Sequence, residues 1–78
     1  MKRAGYEIWD LQSGNAQGEY DRLDEALDVV RRNVRLSGPS VLQGIALIEF
    51  DDRGRDRVYA QGEELLRLIQ PRSFAAGR

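Results

Sequence analysis

Residues 44–50 read GIALIEF and form the most apolar run in the chain. The run is short and rich in branched side chains, which is typical of a strand that is buried on both faces. The acidic segment 51–54 follows it and suits a type I turn that ends in a glycine with positive φ. The polar segment 55–60 then predicts a return strand, so the apolar run forms one arm of a hairpin.

An equivalent hairpin occurs in the first part of the chain. Residues 6–11 predict an apolar strand, Gly14 and Asn15 suit a tight turn, and residues 16–20 predict a more polar return strand. An acidic helix start follows each hairpin, so the chain is predicted to be a pseudo-repeat of two ββα units. The predicted boundaries are 6–36 and 45–70 for the units, 1–70 for a single small domain and 71–78 for a flexible tail.

An amphipathic helix is predicted after the first hairpin. Its apolar stripe consists of Leu23, Ala26, Leu27, Val30 and Val34, which recur at helical spacing. Asp21 is expected to cap the helix, with Asp24 at the spacing of a capping box. Gly38 and Pro39 are expected to end it, because glycine favours the helix C-terminus and proline cannot continue it. A shorter helix that opens at Gly62 completes the second unit.

The distribution of charge predicts the order of the strands. The first and third strands are apolar on both faces, whereas the second and fourth carry several charged side chains. Charged strands are typical of sheet edges, so the predicted order is 2-1-3-4. The fold class is therefore α+β: a ββαββα chain with a four-stranded antiparallel sheet, two helices on one face and a right-handed crossover.

Two helices can cover only one face of such a sheet, and the central strands are apolar on both. The uncovered face should therefore be a contact surface, most simply between two copies of the chain related by a two-fold axis. The predicted contact residues are Trp9, Leu11, Ile48 and Phe50. If the helices take that side, the contact residues become Tyr6, Ile8, Ile45 and Leu47. In the alternative, the N-terminal residues, the 36–44 connection and the C-terminal tail cover the face instead.

The composition removes several classes of active site. The chain has 78 residues with no cysteine and no histidine, so the commonest general base and the usual ligands of zinc are missing. No glycine-rich phosphate loop occurs. We therefore predict a protein that is not an enzyme, with no metal and no cofactor. No apolar run approaches the roughly 18–20 residues of a membrane span, which predicts a cytoplasmic protein.

A nucleic-acid-binding regulator is the alternative function. Two groups of arginines could supply phosphate contacts, namely Arg31, Arg32 and Arg35 near the end of the first helix and Arg53, Arg55 and Arg57 near the second hairpin. Acidic residues are interleaved with both groups. The sequence pI of about 5.3 is also far below the value above about 9 that is typical of such domains.

The first half of the chain contains a set of short motifs, namely Tyr6-Glu7-Ile8-Trp9-Asp10, Ser13-Gly14-Asn15, Gly18, Tyr20-Asp21 and Glu25-Ala26-Leu27. In these motifs it resembles a group of uncharacterised short bacterial proteins. Those proteins similarly place an acidic helix start after a hairpin with a Gly-Asn turn. The resemblance implies a small bacterial cytoplasmic protein and brings no assigned activity. The predicted function is therefore a protein-interaction module that forms a homodimer or binds a small protein partner.

Overall fold

The computed structural model describes residues 4–70. Its elements are β1 (Gly5–Asp10), β2 (Asn15–Tyr20), α1 (Leu23–Ser37), a 3-10 helix (Pro39–Gly44), β3 (Ile45–Phe50), β4 (Asp56–Gln61) and α2 (Glu63–Ile69). The flexible tail predicted for residues 71–78 lies outside the described residues.

The four strands form one antiparallel sheet in the order β2-β1-β3-β4, which confirms the predicted fold class and strand order. The two apolar strands lie in the centre, where Ile8 of β1 is opposite Leu47 of β3. The two charged strands lie at the edges, where their side chains stay in contact with water.

Each edge strand contains a bulge. Gly18 is opposite Ile8 and Ala16 is opposite Trp9, which leaves Gln17 as the extra residue of β2. In β4, Val58 is opposite Ile48 and Ala60 is opposite Leu47, which leaves Tyr59 as the extra residue. A bulge changes which face the following side chains point to, because the alternation of a strand has a period of two residues.

Both hairpin turns use a glycine in the left-handed region. Gly14 has φ 74° and Gly54 has φ 84°, a conformation that is unfavourable for residues with a Cβ. In the second turn, Asp51 Oδ1 accepts hydrogen bonds from the backbone N–H groups of Arg53 and Arg55, each at 2.9 Å. Both bonds favour the charged carboxylate and so hold the pKa of Asp51 below its usual value. The bond from Arg55 has the larger effect.

Helix α1 buries one apolar stripe. It begins at Leu23, one residue later than it would if Asp21 were its cap. Arg22 occupies the cap position, and no side chain caps the helix. The predicted capping box is therefore wrong: the Asp24 carboxylate instead accepts hydrogen bonds from the Arg22 guanidinium at 2.9 and 3.2 Å. The predicted end of the helix is confirmed, since Gly38 has φ 92° and its N–H donates to the carbonyl of Val34 at 2.8 Å.

The core lies between the helices and one face of the sheet. Helix α1 packs on β1 and β2, and α2 packs on β4 and on α1. The largest fully buried side chains are Ile8, Leu47, Leu65 and Val30. The 3-10 helix also lies on this side, because it packs on both α-helices and contributes Leu42 to the core. The 36–44 connection is therefore part of the helix layer and does not cover the opposite face.

Candidate functional site

The candidate site is the open face, by which we mean the strand side chains that point away from the helix layer. Residues that are opposite one another in register share a face, so the pairing defines its members. They are Glu7 and Trp9 on β1, Ala16 and Glu19 on β2, Ala46, Ile48 and Phe50 on β3, and Asp56, Val58 and Gln61 on β4. Within residues 4–70, no helix packs on this face.

The helix side contains the other predicted contact set. Ile8, Ile45 and Leu47 are buried in the core. Tyr6 packs edge-to-face on Tyr59, with ring centroids 5.7 Å apart. Burial, the nearby Glu49 carboxylate and a hydrogen bond to that carboxylate all raise the pKa of Tyr6, since each disfavours the phenolate. The helices of residues 4–70 therefore leave the face that contains Trp9 and Ile48 uncovered.

Trp9 and Glu7 interact along β1 on the open face. The indole Nε1 of Trp9 donates to Oε1 of Glu7 at 3.2 Å, and Glu7 is only 8% exposed. The two residues are two positions apart, so the indole leans along the strand toward the carboxylate. The hydrogen bond partly compensates the carboxylate for lost contact with water.

Phe50 is already buried within the single chain. It is 6% exposed and packs next to Gly5, its partner in register. A Cβ placed on Gly5 would lie 2.7 Å from the carbonyl oxygen of Tyr20 and 3.0 Å from Cζ of Phe50. Glycine at position 5 thus permits the close approach of these groups. Phe50 adds little surface for a partner to cover.

The accessible apolar surface of the open face is formed by Trp9, Ile48 and Val58. Trp9 and Ile48 are partly buried, whereas Val58 is 53% exposed. Val58 is opposite Ile48, and both border a groove of about 310 Å³ that Trp9, Asp56 and Arg57 also line. Val58 was missing from the residues predicted from the sequence, because β4 is polar as a whole.

Leu11 lies just beyond the end of β1. It is 48% exposed, and its backbone N–H donates to the carbonyl of Gly44 at 2.9 Å. This bond continues the pairing of β1 toward the 3-10 helix. Leu11 therefore lies at one end of the sheet, two residues beyond Trp9 along the chain.

The two arginine groups lie at opposite ends of the sheet. Helix α1 starts after Tyr20, at the end of the sheet where Glu49 lies. It runs from there toward the opposite end, where Ile45 begins β3. Arg35 is in the last turn of α1, whereas Arg53 is in the hairpin turn beyond the other end of β3. A strand of six residues separates the two ends by about 20 Å. The fold does not bring the two groups together.

Three of these arginines pair with carboxylates on the protein itself. Arg31 contacts Asp28 at 2.7 Å and also donates to the carbonyl of Ile69 at 3.0 Å. The other two pairs are Arg55 with Asp51 at 3.3 Å and Arg57 with Glu49 at 2.7 Å. Arg32 and Arg35 are exposed on α1. In both arginine groups, carboxylates therefore neutralise part of the positive charge that could contact a phosphate backbone.

A larger groove lies on the opposite side, between the 3-10 helix and the start of α2. Its volume is about 410 Å³, and Pro39, Leu42, Gly62 and Leu66 are among its lining residues. Among the described residues that line the groove, Glu63 is the one ionisable side chain, so these residues do not form the paired groups of an acid–base site. Across residues 4–70, no three His, Cys, Asp or Glu side chains come together as a metal site.

None of the helices in the described part of the chain is long and apolar enough to span a bilayer. Comparison with protein-family models, with curated proteins and with solved structures finds no match to this chain.

Proposed function

We propose that this protein is a non-enzymatic interaction module that self-associates through the open face as a homodimer. One observation carries the proposal. The cluster of Trp9, Ile48 and Val58, in which Val58 is exposed and the other two are partly buried, lies on a face that no helix of residues 4–70 covers, whereas the opposite face is packed into the core. Covering such a cluster removes apolar surface from water, which is the main favourable contribution to protein association.

The size of the face sets the expected affinity. Four strands about 4.8 Å apart, each of six residues rising about 3.3 Å, present roughly 400 Å² in projection. A stable interface buries about 800 Å² from each partner. A face of this size is small for a stable interface, so the dimer is expected to be weak and reversible.

The same proposal places the protein in the cytoplasm of a bacterial cell and assigns it no cofactor. The bacterial origin is supported by the resemblance of the first half of the chain, and the lack of a cofactor is supported by composition. The sequence contains neither histidine nor cysteine, which supply most general bases, soft metal ligands and activated nucleophiles in proteins. A small heterologous protein with an apolar surface could take the place of the second copy.

Sedimentation equilibrium at protein concentrations from about 10 µM to 1 mM tests self-association. The wild-type mass should rise toward that of a dimer, and Val58→Asp should remain monomeric because a carboxylate would lose its hydration at the contact. Leu36→Asp is the matched control: Leu36 is 77% exposed on α1, away from the open face. A wild-type protein that stays monomeric over the whole range would refute the proposal.

The nucleic-acid-binding alternative has weaker support, because the arginine groups are separated and partly neutralised. It predicts retention on DNA or RNA that decreases steeply with salt, since each phosphate contact releases counterions. Arg32→Ala combined with Arg35→Ala should then reduce the salt dependence. Binding that is absent at low salt would remove this alternative.

A further inference from the structure

The helix-layer groove is an apolar surface that residues 4–70 leave open to solvent. This name denotes the groove of about 410 Å³ between the 3-10 helix and the start of α2. Leu42 and Leu66 line it, and most of its accessible lining is apolar. Leu66 is 37% exposed, whereas the neighbouring Leu65 is fully buried in the core. A side chain that occupied the groove would therefore remove apolar surface of Leu66 from water, which is favourable.

The described part of the chain ends on the side of α2 that lines this groove. Gln70, its last residue, follows Leu66 by four positions and Glu63 by seven. Residues at these spacings lie on one side of a helix, and both Leu66 and Glu63 line the groove. Gln70 has φ −69° and ψ 143°, so the backbone leaves the helix there in an extended conformation. The next residue is Pro71, which disfavours a helical conformation in the residue before it.

The segment 71–78, which lies outside the described residues, contains a side chain that is suited to the groove. Phe74 is the one large apolar residue of this segment and comes four residues after Gln70. Four extended residues span about 13 Å, whereas Leu66 is about 6 Å from Gln70 along the helix axis. A segment that turns back along α2 can therefore bring the ring of Phe74 to Leu66.

The charges of the segment and of the groove are complementary. Residues 71–78 include Arg72 and Arg78 and no acidic residue. Helix α2 begins with Glu63 and Glu64, which are both exposed and form no ion pair with another residue of the range 4–70. Exposed ion pairs are weak, so these charges would guide the segment toward α2, whereas an apolar contact would hold it there.

We propose that the chain folds back along α2 after Gln70 and places Phe74 in the helix-layer groove, against Leu66 and Leu42. The occupant of the groove is thus the C-terminal segment of the same chain, in place of the flexible tail that the sequence predicts. The contact lies in the helix layer, away from the open face, and does not depend on the proposed self-association. While it is formed, the groove is closed to other apolar ligands.

A double-mutant cycle in the full chain tests the contact, with urea unfolding as the measurement. Phe74→Ala should raise the equilibrium constant of unfolding by about tenfold, as expected for partial burial of an aromatic side chain. Ser73→Ala, at the neighbouring position, should leave the constant unchanged. Leu66→Ala combined with Phe74→Ala should raise it at least about threefold less than the product of the two single effects, because the two side chains share one contact. Circular dichroism confirms that each variant folds.

Two matched partners define the place of the contact. Leu68→Ala alters a different groove, which Tyr59 also lines, and Val58→Ala alters the open face. The effects of both substitutions should be additive with that of Phe74→Ala, because neither side chain lines the helix-layer groove. The coupling between Leu66 and Phe74 should also be the same at an about tenfold higher protein concentration, since the contact is within one chain.

The contrary results are distinguishable. Additive effects of Leu66→Ala and Phe74→Ala, or unchanged stability of Phe74→Ala, would overturn the proposal. Coupling of Phe74 to Leu68 or to Val58 would overturn it as well, by placing the ring in the other groove or on the open face. Coupling that appears only at the higher concentration would mean that the segment binds a second chain, which overturns the contact within one chain. A wild type that is monomeric throughout refutes the homodimer alone.

Discussion

The indole of Trp9 donates a hydrogen bond to the carboxylate of Glu7 at 3.2 Å, on the face of the sheet that no helix of residues 4–70 covers. The pair places a carboxylate next to the groove that Trp9 lines with Ile48 and Val58. It also accounts for a carboxylate that is only 8% exposed on a sheet face without a helix layer. The pair therefore makes a prediction about folding that does not depend on any partner.

Replacement of Glu7 with alanine should lower the free energy of unfolding by about 1 kcal/mol, the usual net contribution of a hydrogen bond. Glu19→Ala is the matched control, because Glu19 is directly opposite Glu7 but exposed. Removal of one of two adjacent like charges should leave stability unchanged or slightly higher. Urea denaturation at pH 7 measures both effects. Equal destabilisation by the two variants would contradict the role assigned to the Trp9–Glu7 bond.

Gly5→Ala should destabilise the sheet by about 1–3 kcal/mol, because the new methyl group has no room. It would lie 2.7 Å from the carbonyl oxygen of Tyr20 and 3.0 Å from the ring of Phe50. Gly44→Ala is the control, since a Cβ at Gly44 meets nothing within 4 Å. Thermal unfolding should show a drop of about 4–8 °C for each kcal/mol lost in a domain of this size. Similar melting temperatures for the two variants would argue against the close contact at Gly5.

The second hairpin turn should be sensitive to acid. Backbone hydrogen bonds depress the pKa of Asp51 in the folded protein, so its stabilising effect is present above the pKa of the unfolded chain. That effect is lost as the pH falls through the folded value. Asp51→Ala should thus destabilise the protein at pH 7 and have less effect at pH 2. Urea midpoints at the two pH values provide the measurement, and an equal loss of stability at both would contradict the role of the hydrogen bonds to Asp51.

Tyr6 should ionise later than a free tyrosine. Its folded pKa is raised by burial and by Glu49, so its contribution to stability is complete below the unfolded pKa and is lost as the pH rises through the folded value. Ultraviolet absorbance during alkaline titration follows the three tyrosines of the chain. Tyr6→Phe should remove a phase above the usual pKa of about 10. A wild-type titration without a delayed phase would disprove the environment described for Tyr6.

The order of the strands could be predicted because charge separates edge strands from central strands. The sequence could not predict which face of the sheet the helices cover. Tyr6 and Ile8 point one way and Trp9 the other, and all are apolar, so alternation leaves both faces equally suitable. The 3-10 helix was also not predicted. Its buried side chain, Leu42, and the neighbouring Val41 are a short apolar pair in a segment that otherwise contains Pro, Ser, Gln and Gly.

Val58 was missed because β4 is polar as a whole, and the backbone of β4 adds a second reason. Alternation assigns a strand residue to a face only while the strand remains regular. In β4 the bulge at Tyr59 shifts the register, so Val58 and Gln61 share a face although they are three residues apart. The helix start was misplaced for a different reason. Asp21 is a favoured cap residue, but the Arg22–Asp24 ion pair is formed at the position where the helix begins.

The bulges at Gln17 and Tyr59 also affect whether the edges of the sheet can pair with strands of other molecules. A long, regular rim offers rows of N–H and C=O groups to the strand of a neighbour, which is how sheets propagate into fibrils. Here both rims are irregular and carry charge, which opposes indefinite growth by strand addition. We expect concentrated solutions to remain free of thioflavin-positive material, and assembly through the broad side of the sheet to close at two chains.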